Sequence, residues 1–376
     1  MKHQIMVFVG NGFDRSVLSK YGKGVTTSYA SFYSFFKYRY PERNDNYLIQ
    51  QMEKAKNESQ GKNDDWSDFE AVLGKSLNEL KDIDRESIVR LDKDLSELQK
   101  AFSRFLNDVV DSDVIERISA ATDVLVEEKY GTKMNYAVRS LAGGFIKDLS
   151  EIDYEKMRFH NRFDNNEELK YIFINFNYTS LLDNYIYLDK NIFNPEPYKT
   201  SDNNFNIFTN PNRYNNYLGF ADPYLNLLPV DIYHPHGVQD VPKSLLFGIE
   251  NNNYNNSTDE RRIFVKSFWA RDELRYKDKF NDTELFIIYG SSIGESDSWW
   301  WNNVYLRLID NDNPAELIIY NYGNEPQEEI KDKFIKNCSI NMEEDLYNKA
   351  KNNIYVVNFG KNEKRIIFMD LPDLKF

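Results

Sequence analysis

Apolar positions along this chain fall into two kinds of pattern, and their alternation predicts the fold. Short unbroken apolar runs occur at Ile5–Val9 (IMVFV), within Lys170–Phe176 (KYIFINF) and at Leu285–Tyr289 (LFIIY). Runs of this length are too short for independent helices and too continuous for half-exposed strands. They read as strands of a parallel sheet covered on both faces. Val230–Gly237, Leu317–Tyr320 and Ile354–Phe359 read as further strands, and Leu245–Ile249 as a short one. Pro235 keeps His234 extended and cannot donate to a ladder, which makes 230–237 a strand end or an edge.

Between the first and second runs the period changes. Ile88, Leu91, Leu95, Leu98, Phe102, Phe105 and Val109 recur at alternating spacings of three and four. That is a narrow apolar stripe on one long helix, suited to pairing within its own bundle or with a second subunit. The second option implies a homo-oligomer. Tyr29–Tyr40 reads as an aromatic helix ended by Pro41, Trp66–Glu70 as the start of another, and Val114–Glu128 and Asn135–Leu149 as helical. Residues 43–65 are polar and read as a loop or weak helix. The expectation is an α/β protein with a Rossmann-like, mainly parallel sheet. Its sheet domain spans residues 1–25 and 169–376, and 26–168 form a mostly helical insertion after the first strand. Further on, 191–229 reads as a loop-rich excursion, 261–280 as one helix and 298–309 as another.

Composition narrows the partners. The chain has 376 residues, 41% hydrophobic and 15% aromatic, enough for a large core. A formal net charge of −13 argues against a nucleic-acid backbone as the main partner. Cys338 is the single cysteine, which excludes an internal disulfide framework and a cysteine-based zinc cluster. No apolar run approaches membrane-spanning length and no signal-peptide pattern opens the chain, so a soluble cytoplasmic protein without membrane contact is expected.

The chemistry gathers at strand ends. Gly10-Asn11-Gly12 stops the first strand and turns into a helix, a device that presents backbone N–H groups to a phosphate and lets a ligand come close. A tight turn without ligand is the alternative, and the third glycine of the dinucleotide fingerprint is missing, with Arg15 and Ser16 near its place. Asn11 and Asp14 belong to the same turn. Thr26 and Thr27 serve either the ligand or the cap of the Tyr29 helix. Asn177, followed by Tyr178 and Thr179, ends the strand 170–176, either as a ligand contact or as a turn residue. Ser291, Ser292 and Gly294 repeat the opening device after the strand 285–289. Asp297 there either accepts from a sugar hydroxyl or, with Ser296, caps the next helix. His234 and His236 stand two apart. With Asp240 they suit a metal-dependent hydrolase, although only His3 and His160 remain as further imidazoles. Trp66, Phe69 and Trp299–Trp301 read as packing residues, and Glu70 takes no assigned role.

These motifs together resemble a known family. GNGFD (Gly10–Asp14), TTSYASF (Thr26–Phe32), WSDFE (Trp66–Glu70), FNYT (Phe176–Thr179), HPHG (His234–Gly237) and GSSIGESD (Gly290–Asp297) look like the bacterial abortive-infection AbiH family of phage-defence proteins. The resemblance implies a role in phage resistance and a phage-encoded trigger. The order Gly-x-Gly, Asn-Tyr, His-Gly, Gly-x-Ser also resembles, more distantly, sirtuin-like NAD-binding domains. That likeness implies NAD as substrate or ligand and cleavage at the nicotinamide–ribose bond, without a metal. Asn177 and His236 would be the catalytic pair. Gly10, Gly12, Ser291 and Ser292 would hold phosphates or ribose, with Asn11, Asp14, Thr26, Tyr178 and Asp297 completing the site. GNGFD departs from the sirtuin Gly-Ala-Gly and zinc-binding cysteines are missing, which argues against protein deacetylation. The alternative is a nucleotide-sensing or interacting protein without turnover.

Overall fold

The apolar runs pair with one another. In the computed structural model, which describes residues 2–58, 69–79, 85–127, 133–159, 168–186, 230–249, 260–338, 343–360 and 365–374, β1 (Lys2–Val9) lies inside a six-stranded sheet. Its neighbours are β4 (Glu168–Asn175) and β6 (Thr283–Tyr289), both parallel to it. Beyond β4 lies β5 (Val230–Tyr233); beyond β6 lie β7 (Glu316–Tyr322) and β8 (Ile354–Phe359), giving the order β5-β4-β1-β6-β7-β8. Every pairing in this sheet is parallel. Chain order therefore runs outward from β1 to one edge, then returns to fill the other side. This is the doubly wound, Rossmann-like arrangement, with its switch point at β1.

Residues Ile5–Val9 are 0% exposed because both sheet faces are covered. Ile5, Val7 and Val9 face one core, with α1 (Asn11–Tyr21), Ile118 and Phe368. Met6 and Phe8 face the other, with Trp300, Trp301 and Phe334. The strand period of two thus divides one apolar run between two cores. Buried carboxylates fasten the periphery. Asp148 accepts from the Tyr320 hydroxyl and from the N–H groups of Ile367 and Phe368, and Glu316 accepts from the N–H groups of Arg158 and Phe159 and from the Tyr355 hydroxyl.

The segment between β1 and β4 supplies two cores. α2 (Tyr29–Arg39), α3 (Tyr47–Glu58), α4 (Phe69–Glu79) and α5 (Arg85–Val109) form a third cluster, joined by Leu245, Phe247, Ile249, Phe264 and Val265. α6 (Ser112–Thr122) and residues 137–159 pack instead on the sheet face that carries Ile5. The α5 stripe from Ile88 to Phe105 is buried inside this third cluster. The apolar surface that suggested pairing between subunits is covered by the chain itself.

Of the two readings of 43–65, residues 47–58 take the helical one, because Leu48, Ile49 and Met52 make a buried face amid polar neighbours. Several other elements differ from expectation. The helix after Asp111 stops at Thr122 and leads to a small antiparallel pair, β2 (Leu125–Glu127) and β3 (Lys133–Asn135). Leu245–Ile249 forms no strand; Ile249 makes a single bridge to Val265. The helix expected over 261–280 is broken at Arg271, whose φ of 54° is left-handed, into Lys266–Ala270 and Asp272–Asn281. Trp66, His160 and the segments 191–229 and 251–257 lie outside the described residues.

Candidate functional site

In a parallel sheet the strand ends share one edge, and here β1, β4, β5 and β6 bring Gly10, Asn177, His236 and Ser291 to it. The glycine turn is packed more tightly than its sequence suggests. The Gly10 N–H donates to the Tyr289 carbonyl at 2.9 Å and the Gly12 N–H to the Gly290 carbonyl at 2.8 Å. The Phe13 N–H bonds back to Gly10 at 3.1 Å. These groups continue the β1–β6 pairing beyond the strand ends, so they do not face a phosphate. Glycine is required there by the approach of the second turn. A Cβ on Gly10 would stand 2.6 Å from the Gly290 carbonyl oxygen, and one on Gly12 2.5 Å from Gly290 Cα. Gly290 itself has φ of 68°.

The neighbouring hydroxyls divide. Ser28, not Thr26, caps α2 by accepting from the Ser31 N–H, and the Thr26 hydroxyl joins that cluster at 3.1 Å from Ser28. Thr27 is the one that reaches the turn, donating to Asn11 Oδ1 at 2.6 Å. Ser291 Oγ accepts from the Ile293 N–H within its own loop, while Ser292 is exposed. Ile293 has φ of 56°, an outlier for a β-branched side chain. Asp14 turns inward. One oxygen accepts from Thr179 at 2.8 Å, and the other is buried without a hydrogen-bond partner. Burial pushes its carboxyl up to about 7, against the Thr179 hydrogen bond and the nearby His234.

Asn177 is 4% exposed, and its side-chain amide donates to the Gly10 carbonyl at 3.1 Å, tying the end of β4 to that of β1. Its neighbours Phe176 and Tyr178 place rings 5.0 and 6.2 Å from the His236 imidazole, the first stacked on it. His236 is 6% exposed and sets Nε2 3.3 Å from Asp297 Oδ1. Asp297 makes no side-chain cap to the helix Ser298–Leu308. Its carboxylate instead serves His236 and the ammonium of Lys266, 3.3 Å away. Lys266 also pairs with Glu70 at 2.6 Å. A chain of ionisable groups thus runs from the helical layer to the sheet edge: Glu70, Lys266, Asp297, His236.

The electrostatics of this chain follow from its burial. Burial alone would raise Asp297, but Lys266 and then His236 outweigh it and hold the carboxyl well below the usual range. Burial alone would lower Lys266; Asp297, Glu70 and Tyr178 together hold the ammonium protonated. Glu70 is raised, chiefly by burial and against the pull of Lys266. When a neutral His236 directs Nε2–H at Asp297, its lone pair lies on Nδ1, available as a base.

The two histidines separate. His234 Nε2 pairs with Asp183 at 3.0 Å, away from the Asp297 partner of His236, and Asp240 is exposed. Among the described residues no group of three or more His, Cys, Asp or Glu side chains is placed to hold a metal ion. The trio His234, His236 and Asp240 therefore does not assemble as one metal site. Sequence reasoning missed Lys266 and left Glu70 without a role. The available signal was a lone lysine within IFVKSFW and a lone glutamate within FEAVL, both on otherwise apolar stretches.

Among the described residues no helix is long and apolar enough to cross a membrane. Comparison with curated proteins and with solved structures finds no match in either. The family model described as bacteriophage abortive infection AbiH matches residues 6–320, from β1 through β7, and includes every residue of the edge described above. The chain belongs to the bacteriophage abortive infection AbiH family.

Proposed function

We propose that, within the abortive-infection role its family carries, the protein binds NAD or a related nucleotide at the carboxyl edge of its sheet and hydrolyses it at the nicotinamide–ribose bond. The observation that carries this reading is the His236–Asp297 pair, buttressed by Lys266, beside the switch point of a doubly wound sheet. Nicotinamide departs neutral, so no general acid is required. The reaction needs an oriented ribose, a shielded cationic centre and a base for water or a ribose hydroxyl. His236 is the base, oriented by Asp297, and Asn177 orients the ribose from the end of β4. Both side chains are nearly covered, so binding must displace part of their surroundings.

Purified protein incubated with NAD should release nicotinamide, detected chromatographically. His236→Ala and Asn177→Ala should each lower the rate about a hundredfold or more. His234→Ala, whose imidazole serves Asp183, should change it little. The second reading, a nucleotide-sensing or interacting protein without turnover, is favoured by the burial of the two side chains that turnover needs, His236 at 6% and Asn177 at 4% exposed. NAD binding without nicotinamide release would establish it in place of the hydrolase.

A further inference from the structure

Four of the twelve large exposed apolar side chains among the described residues fall within one short stretch. Ile263, Phe268, Trp269 and Leu274 all lie within residues 263–274, and Trp269 is 64% exposed. Beside them a groove of about 480 Å³ is lined by Arg262, Ser267, Phe268, Arg271, Leu274 and Trp299, with the Glu273 carboxylate, held by the Trp299 indole, at its wall. Its walls are fixed. The Arg262 guanidinium stands 3.7 Å from the centre of the Phe268 ring, and the Trp299 indole N–H donates to Glu273 at 3.2 Å. Arg271 reaches the groove from the left-handed backbone that breaks the helix, a strained conformation of the kind found at working surfaces. The surroundings are basic. Residues 261–280 carry six lysines and arginines besides the buried Lys266, against three acidic residues, in a chain whose formal net charge is −13.

Exposed tryptophan, phenylalanine and arginine around an apolar floor is the composition of an interface centre. We propose that this groove docks an acidic segment of a protein partner. The partner inserts a large apolar side chain between Phe268 and Trp299 and sets carboxylates on Arg262 and Arg271. The sign follows from charge complementarity: in a chain that is acidic overall, this stretch carries a net positive charge and favours the approach of an acidic segment. The same acidity repels a long polyanion along its length, which favours a short peptide segment over a nucleic acid. The groove has room for one large side chain and its neighbours. It is built on the five-residue helix that begins with Lys266, so docking bears on the element that holds the ammonium against Asp297.

The test uses the full chain and a fluorescent peptide in which Asp and Glu flank a central Trp-Leu pair, titrated by anisotropy. Control peptides carry Ala-Ala in place of Trp-Leu, or Lys in place of the acidic residues. The acidic aromatic peptide should bind at least about tenfold more tightly than either control, and more weakly as salt rises. Arg271→Glu and Trp269→Ala, both at exposed positions, should each weaken it about tenfold without changing the circular dichroism spectrum. The proposal is overturned if no peptide binds, if the lysine peptide binds equally well, or if both variants keep the wild-type affinity. Displacement of the peptide by a single-stranded oligonucleotide, or self-association that Trp269→Ala abolishes, would assign the groove to another occupant and also overturn it.

Discussion

Asp14→Asn isolates the electrostatic cost of building the carboxyl edge. The Asp14 carboxyl is 1% exposed, and only one of its oxygens is hydrogen-bonded, to Thr179. Its pKa rises from 3.8 to about 7, first through burial. In the unfolded chain the group titrates near 3.8. Between about pH 4 and 7 the native state therefore holds a proton that the unfolded state has released, and stability falls as pH rises through that window. A rise of this size corresponds to about 4 kcal/mol, present as stability at pH 4 and lost above pH 7. Asparagine keeps an acceptor for Thr179 and cannot ionise. Urea unfolding followed by tryptophan fluorescence should show Asp14→Asn gaining about 3 kcal/mol on the wild type between pH 5 and pH 8. A difference between the two proteins that does not change over this range would refute the account of a carboxyl kept protonated by burial.

Gly12→Ala should cost about 2 kcal/mol or more in a thermal melt, because the new methyl meets Gly290 Cα; a fold of unchanged stability would show that the two turns yield easily. Lys266→Met should destabilise by about 3–5 kcal/mol, since Glu70 and Asp297 would lose their shared cation in a buried setting. Lys266→Met combined with Glu70→Gln should cost less than the two singles added together, and strict additivity in that cycle would mean the pair is not coupled. The α5 stripe, already covered, gives no drive to dimerise, so light scattering at micromolar concentration should find a monomer unless another surface supplies the contact.

What the sequence made legible is what depends on short-range pattern. The run Ile5–Val9 announces a doubly covered strand because five apolar residues in succession have no other economical burial. The stripe on α5 announces its buried face. The strand ends that carry polar residues were also legible, since parallel pairing obliges them to share an edge. The direction of each side chain was not. Gly12 looks like a ligand contact until the Gly290 turn, far away in sequence, is seen packed against it, and Asp14 does until its carboxyl is seen turned inward to Thr179. Likewise Asp297 reads as a helix cap until Lys266 and His236 arrive from other elements to claim its carboxylate. Partnership among buried charges is a tertiary property, and no local spacing encodes it. The left-handed residue Arg271 interrupts an acceptable helical pattern for the same reason: nothing in RDELRY forbids the helix from continuing.

The central position of β1 sets a timetable for the chain. β1 is complete at Val9, yet its two neighbours end only at Asn175 and Tyr289. At roughly 5–20 residues per second, translation separates the first strand from the last of its partners by tens of seconds. Until β4 emerges the apolar run Ile5–Val9 has no strand partner, and until β6 emerges one edge of β1 stays open, which makes this the vulnerable period for aggregation. The same delay keeps the carboxyl edge unassembled until β6 has emerged, so a nascent or truncated chain ending before Tyr289 carries no switch point at all.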